Sequence, residues 1–91
     1  MKGNPNLLRQ LEGLTGEALP ARSVIEIAGD SRVLIEHHGG VREYSRERIG
    51  VSVKFGTVQI DGCGLELSRM TREQLVISGR IDGVTLLRRN G

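Results

Sequence analysis

The hydrophobic positions of this chain change period once, near residue 23. Before that point Leu7, Leu8, Leu11 and Leu14 recur at helical spacing. They follow Asn4-Pro5, a capping residue with proline at the first helical position. The pattern predicts a short N-terminal helix ended by Gly13 or Gly16. At about ten residues such a helix is too short to persist alone in water, so it must dock on its own sheet or on a partner. A connector containing Pro20 follows, which divides the chain into a helix-and-connector segment, 1–18, and a β domain, 19–91.

From Ser23 the apolar period is two. Ile25 and Ile27 point one way, and Val33 and Ile35 repeat the pattern after the Ala28-Gly29-Asp30-Ser31 turn. Gly39-Gly40 marks a second turn. Ile49, Val51, Val53 and Phe55 then alternate with Gly50, Ser52 and Lys54, the clearest half-buried strand in the chain. Val58 and Ile60, Leu65 and Leu67, and Leu75 and Ile77 continue the inward series. Between them, Thr71-Arg72-Glu73-Gln74 reads as one helical turn capped by Thr71, with Gln74 at the capping-box position. After Ile81 the inward positions shift to Val84 and Leu86, so Asp82-Gly83 carries an expected bulge. Ile35, Val51, Val53, Val58, Ile60, Leu65, Leu67, Ile77 and Ile81 form the expected core.

Glycines bracket most of these runs, the punctuation of roughly six to eight short strands joined by tight turns. One solvated and one packed face per strand implies antiparallel pairing. The predicted class is therefore all-β, a small antiparallel β-sandwich with a short N-terminal helix.

Composition narrows the function. Ninety-one residues make one domain, and 37% hydrophobic with 26% charged residues excludes a disordered chain. No apolar run exceeds three residues and the N-terminus has no apolar signal core, so neither a membrane helix nor a secretory signal is expected. A lone cysteine, Cys63, makes no internal disulfide, and the cytoplasm is the expected compartment. Tyr44 and Phe55 are the only aromatic residues, which argues against a ligand pocket or a base-stacking platform. The first 48 residues carry seven basic and seven acidic side chains and the remainder six and four, so neither half is a polyanion-binding arm.

Candidate chemistry is sparse. Glu36, His37, His38 and Glu43 are the only cluster of metal-ligand type. Adjacent strand residues point to opposite faces, which makes polar strand-end side chains the expected reading and no metal the expectation. Cys63 lies between Gly62 and Gly64 with only Asp61 and Glu66 as charged neighbours, not the electropositive setting of a reactive thiol. No Ser/His/Asp constellation can be assembled, so neither an enzyme nor a cofactor is expected. Arg42, Arg46 and Arg48 crowd one turn, and Arg88-Arg89 lies near the C-terminus. The interleaved Glu43 and Glu47 halve the charge of that turn.

The ordered run from Leu19 to Leu87 resembles the YabP/YqfC family of bacterial sporulation proteins. The matching residues are Gly29, Val33-Leu34-Ile35-Glu36, Gly40-Val41, Tyr44-Ser45 and Ile49. They continue with Gly56, Val58-Gln59-Ile60, Gly62, Leu65-Glu66-Leu67, Leu75 to Ile81, and Val84. The run is closer to the YqfC branch, although His37, Ser23 and Leu86 stand where that branch usually has Asn, Pro and an aromatic residue. The resemblance implies an immunoglobulin-like sandwich. It also implies a non-enzymatic role in spore envelope or coat assembly, in the mother cell and peripheral at the forespore surface. The implied partners are spore-envelope proteins, a membrane protein among them, and copies of the chain itself. The residues expected to meet partners are Leu7 and Leu11 on the helix, Arg42, Arg46 and Arg48 in the turn, and Thr85 and Arg88 on an exposed C-terminal edge strand, Gly79 to Leu87. The rival reading is a small RNA-binding β-fold that uses the arginine turn, disfavoured by the scarce aromatics and near-neutral charge.

Overall fold

The computed structural model describes residues 23–89, so the predicted helix and the sites at Leu7 and Leu11 lie outside the described residues. Six strands follow in chain order: β1 (Val24–Ala28), β2 (Arg32–Glu36), β3 (Val41–Tyr44), β4 (Arg48–Val53), β5 (Gly56–Met70) and β6 (Gln74–Arg88). They form one sheet in the order β1-β2-β6-β5-β4-β3, antiparallel at every junction. The all-β antiparallel class holds. Among the described residues the six strands form one continuous sheet, and the two separately bonded sheets of a sandwich are not shown.

The sheet is organised by β5 and β6, each fifteen residues long. Gly62, Gly64 and Gly79, expected as turns between short strands, instead sit inside these two. Residues 56–61 of β5 pair in unbroken register with 83–88 of β6, after which the register skips Asp82, the predicted bulge. A second skip leaves Gly64 and Leu65 of β5 facing Gly79. Bulges bend and twist the strands that carry them, and here two occur within a few residues. The backbones approach so closely that a Cβ at Gly62 would overlap the Arg80 carbonyl oxygen. One at Gly79, whose φ is +138°, would lie 2.6 Å from the Gly64 carbonyl oxygen. Only glycine fits there.

The bend gives the two halves of each long strand different neighbours. The first half of β5 lies between β4 and β6, and the first half of β6 lies between β2 and β5. Val33 and Ile35 of β2, Ile49, Val51 and Val53 of β4, Val58, Ile60 and Leu65 of β5, and Leu75, Ile77 and Ile81 of β6 form one buried cluster. Every expected core residue is there except Leu67, which is half-buried at its margin, and Val33, Ile49 and Leu75 join them.

Two local expectations are corrected. Thr71 to Gln74 closes a β-hairpin, not a helical turn: Thr71 N–H donates to the Gln74 carbonyl (2.7 Å) while Thr71 Oγ1 accepts from Gln74 N–H (3.0 Å). Phe55 does not continue β4. With Lys54 it forms the two-residue turn between Val53 and Gly56, its ring half-buried against the core.

Candidate interaction surface

The arginine turn is held by Ser45, whose hydroxyl accepts from Arg48 N–H (2.9 Å) and Glu47 N–H (3.3 Å). The carbonyls of Arg46 and Glu47 accept from Leu65 N–H (2.8 Å) and Gly62 N–H (3.0 Å), which seats the turn against the bend in β5. This places Arg48 directly opposite Asp61. Arg48 Nε donates to Asp61 Oδ1 at 2.6 Å, and Gln59 Nε2 donates to the other oxygen at 3.0 Å. These bonds, Arg48 first, hold the Asp61 carboxyl below the usual carboxylate range and raise the Arg48 guanidinium further. Arg46 lies 3.7 Å from Glu66. Arg42 stands apart on the exposed edge strand β3. Two of the three arginines thus face carboxylates of β5, and the turn is not a bare cationic patch.

Both histidines lie beyond the end of β2, where His37 has a φ of +62°. His38 uses both ring nitrogens on backbone: Nδ1 accepts from Gly40 N–H (3.0 Å), so Nε2 carries the proton and donates to the Thr71 carbonyl (2.9 Å). The ring ties the β2–β3 loop to the β5–β6 hairpin. Glu36 accepts from Gln74 Nε2 at 3.3 Å. Among the described residues no group of three His, Cys, Asp or Glu side chains is placed to hold a metal. Cys63 is exposed on β5, paired in register with Arg80. Arg80 itself donates twice to Asp82, at 3.2 Å each, which raises its pKa.

The C-terminal strand is an edge only beyond Ile81, not from Gly79 as expected. Gly79 and Ile81 N–H groups donate to the carbonyls of Ser31 (3.2 Å) and Asp30 (2.7 Å). Beyond Ile81, among the described residues, β6 is paired on the β5 side alone. Its free groups can be assigned. Val53 and Gly56 flank the two-residue turn, and Arg89 N–H donates to the Phe55 carbonyl (2.9 Å). Antiparallel ladders alternate, so Gly83, Thr85 and Leu87 bond to β5 while the backbones of Val84, Leu86 and Arg88 face outward. Thr85, the expected exposed ladder position, therefore spends its backbone on Gln59; its side chain is exposed. Leu86 is 55% exposed beside the fully buried Val58. The guanidinium of Arg88 stands 5.8 Å from the centre of the Phe55 ring.

The sequence profile of the YabP family matches residues 20–91. The chain belongs to the YabP family. No curated protein and no solved structure matches it. YabP membership is consistent with a sporulation-related role, and the YabP family is not a known enzyme family. Among the described residues of this YabP protein no helix is long and apolar enough to cross a membrane. Sequence reading missed Val84 and Leu86 as the outward-facing ladder positions. Which backbone groups are free depends on the turn that sets the register, and Lys54-Phe55 carries no glycine or asparagine to announce it.

Proposed function

We propose that this protein is a non-enzymatic assembly protein of the sporulating cell, of the YqfC branch, working in the mother-cell cytoplasm at the forespore surface. Its contacts with other proteins, a membrane protein among them, would help to build the spore envelope and coat. Family membership across residues 20–91 carries the reading, and the edge of β6 that is free among the described residues supplies a physical means, since an open strand accepts another through main-chain hydrogen bonds. The pairing of Arg48 with Asp61 and of Arg46 with Glu66 favours protein contacts over RNA, because counterion-driven phosphate binding needs unpaired cations. The test is a fluorescent fusion followed through sporulation, together with deletion of the gene. Concentration of the fusion at the forespore surface and fewer resistant spores are expected. An evenly spread fusion with unchanged spore yield would contradict the proposal.

A further inference from the structure

We infer that the end of the molecule opposite the bend, where the two ends of the β5–β6 ladder come together, docks on the phosphate surface of an anionic membrane. The inference rests on the proposed role at the forespore surface and names a contact that would hold the protein there. Three connections converge at this end. His38 donates from the β2–β3 loop to the Thr71 carbonyl of the β5–β6 hairpin, and Gly39 N–H donates to the Ser52 carbonyl of β4. The groove between them is lined by Lys54 of the β4–β5 turn and by Arg72 and Glu73 of the hairpin. β6 ends beside the same turn. The guanidinium of Arg89 donates to the Val53 carbonyl (3.4 Å), and that of Arg88 stands over the Phe55 ring.

Four cations thus share one end, and among the described residues Lys54, Arg72, Arg88 and Arg89 are not ion-paired. Glu73 is the only carboxylate among the described residues that line the groove. Glu36 lies on the face of β2 away from the core, against Gln74. The bend end is the reverse. Asp30, Glu47, Asp61, Glu66 and Asp82 gather there with Arg32, Arg46, Arg48 and Arg80, and the last three arginines already stand beside carboxylates. A net charge of +2 conceals this polarity. The surroundings of the cations select a lipid surface over a nucleic acid. Leu86 and Leu87, 55% and 43% exposed, precede Arg88 on opposite faces of the strand. A bilayer interface offers phosphates to the cations and an acyl boundary to the leucines. Single-stranded nucleic acid instead wants aromatic faces for its bases. Phe55 is half-buried under Arg88, and the exposed Tyr44 lies at the other end, next to the Ser45 turn. Each cation near an anionic bilayer strengthens binding about 5-fold, and the effect fades with salt.

The test is flotation of the full chain with vesicles of phosphatidylcholine, alone or with about 30% phosphatidylglycerol. Only the anionic vesicles should carry the protein, and less of it as salt rises. Lys54→Glu with Arg72→Glu should raise the dissociation constant at least ~10-fold, with an unchanged circular dichroism spectrum and melting temperature. Arg32→Glu with Arg46→Glu makes the same change in net charge at the bend end and should shift it less than ~3-fold. Inorganic phosphate at matched ionic strength should not displace the protein from the vesicles, and RNA of mixed sequence should bind more weakly than they do. No flotation with anionic vesicles at low salt, or equal losses in the two double variants, overturns the inference. So does displacement by inorganic phosphate, which would mark a single-anion site, or tighter binding to RNA. Should vesicle binding fail while the fusion still gathers at the forespore, this inference falls and the proposed function stands. Should the vesicles bind while the fusion stays evenly spread, the proposed function is what falls.

Discussion

The two halves of β6 share one strand and differ in pairing and in burial. From Gln74 to Gly79 it is bonded on both sides, and Leu75 and Ile77 are fully buried. From Gly83 to Arg88 it is bonded, among the described residues, on one side, and Leu86 and Leu87 are exposed. Both halves are rich in aliphatic residues. Composition therefore does not separate them; the bend does. By turning β6 away from β2, the bulges at Asp82 and Gly64-Leu65 give one half to the core and leave the other as an edge.

The sharpest way to break this contrast is to substitute the glycine in each half. Gly79→Val places a branched side chain against the Gly64 carbonyl oxygen at a φ of +138°. It should cost more than ~4 kcal/mol and abolish cooperative melting. Gly83→Ala meets nothing within 4 Å and should change stability by less than ~0.5 kcal/mol. Equal effects would mean that the bend does not organise the sheet. Side-chain truncation is the next probe. Ile77→Ala should cost ~2–5 kcal/mol in denaturant unfolding, whereas Leu86→Ala, measured at a concentration where the chain is monomeric, should stay within ~0.5 kcal/mol.

A smaller effect belongs to the Arg48–Asp61 pair on the neighbouring strands. The folded carboxyl titrates below its ordinary value of 3.8, chiefly because Arg48 hydrogen-bonds to it. Its contribution is therefore present above that ordinary value and is lost as the pH falls through the lowered folded one. Asp61→Asn should melt slightly below the wild type at neutral pH, with the gap closing in acid and shrinking in high salt. A gap that widens on acidification would contradict the assignment.

The inward positions of β2, β4, β5 and β6 were legible from alternation, because a half-buried strand can satisfy only one period. The Asp82 bulge was legible for the same reason: one extra residue reverses the parity of everything beyond it. Thr71 misled because its hydroxyl accepts from the amide three residues on, a bond common to helix caps and tight hairpins. Only the pairing of β5 with β6 on either side decides between them. The arginine turn was located, but not its neutralisation. Asp61 is thirteen residues from Arg48, and the two meet only through the β4–β5 register.

The most direct measurement is residue-resolved amide hydrogen exchange along β6, made at a dilution where the chain is monomeric. Leu75, Ile77, Thr85 and Leu87 should be protected, and Val84, Leu86 and Arg88 should exchange close to the rate of an unstructured peptide. Uniform protection from Gly83 to Arg88 would contradict the account, because something would already cover the edge.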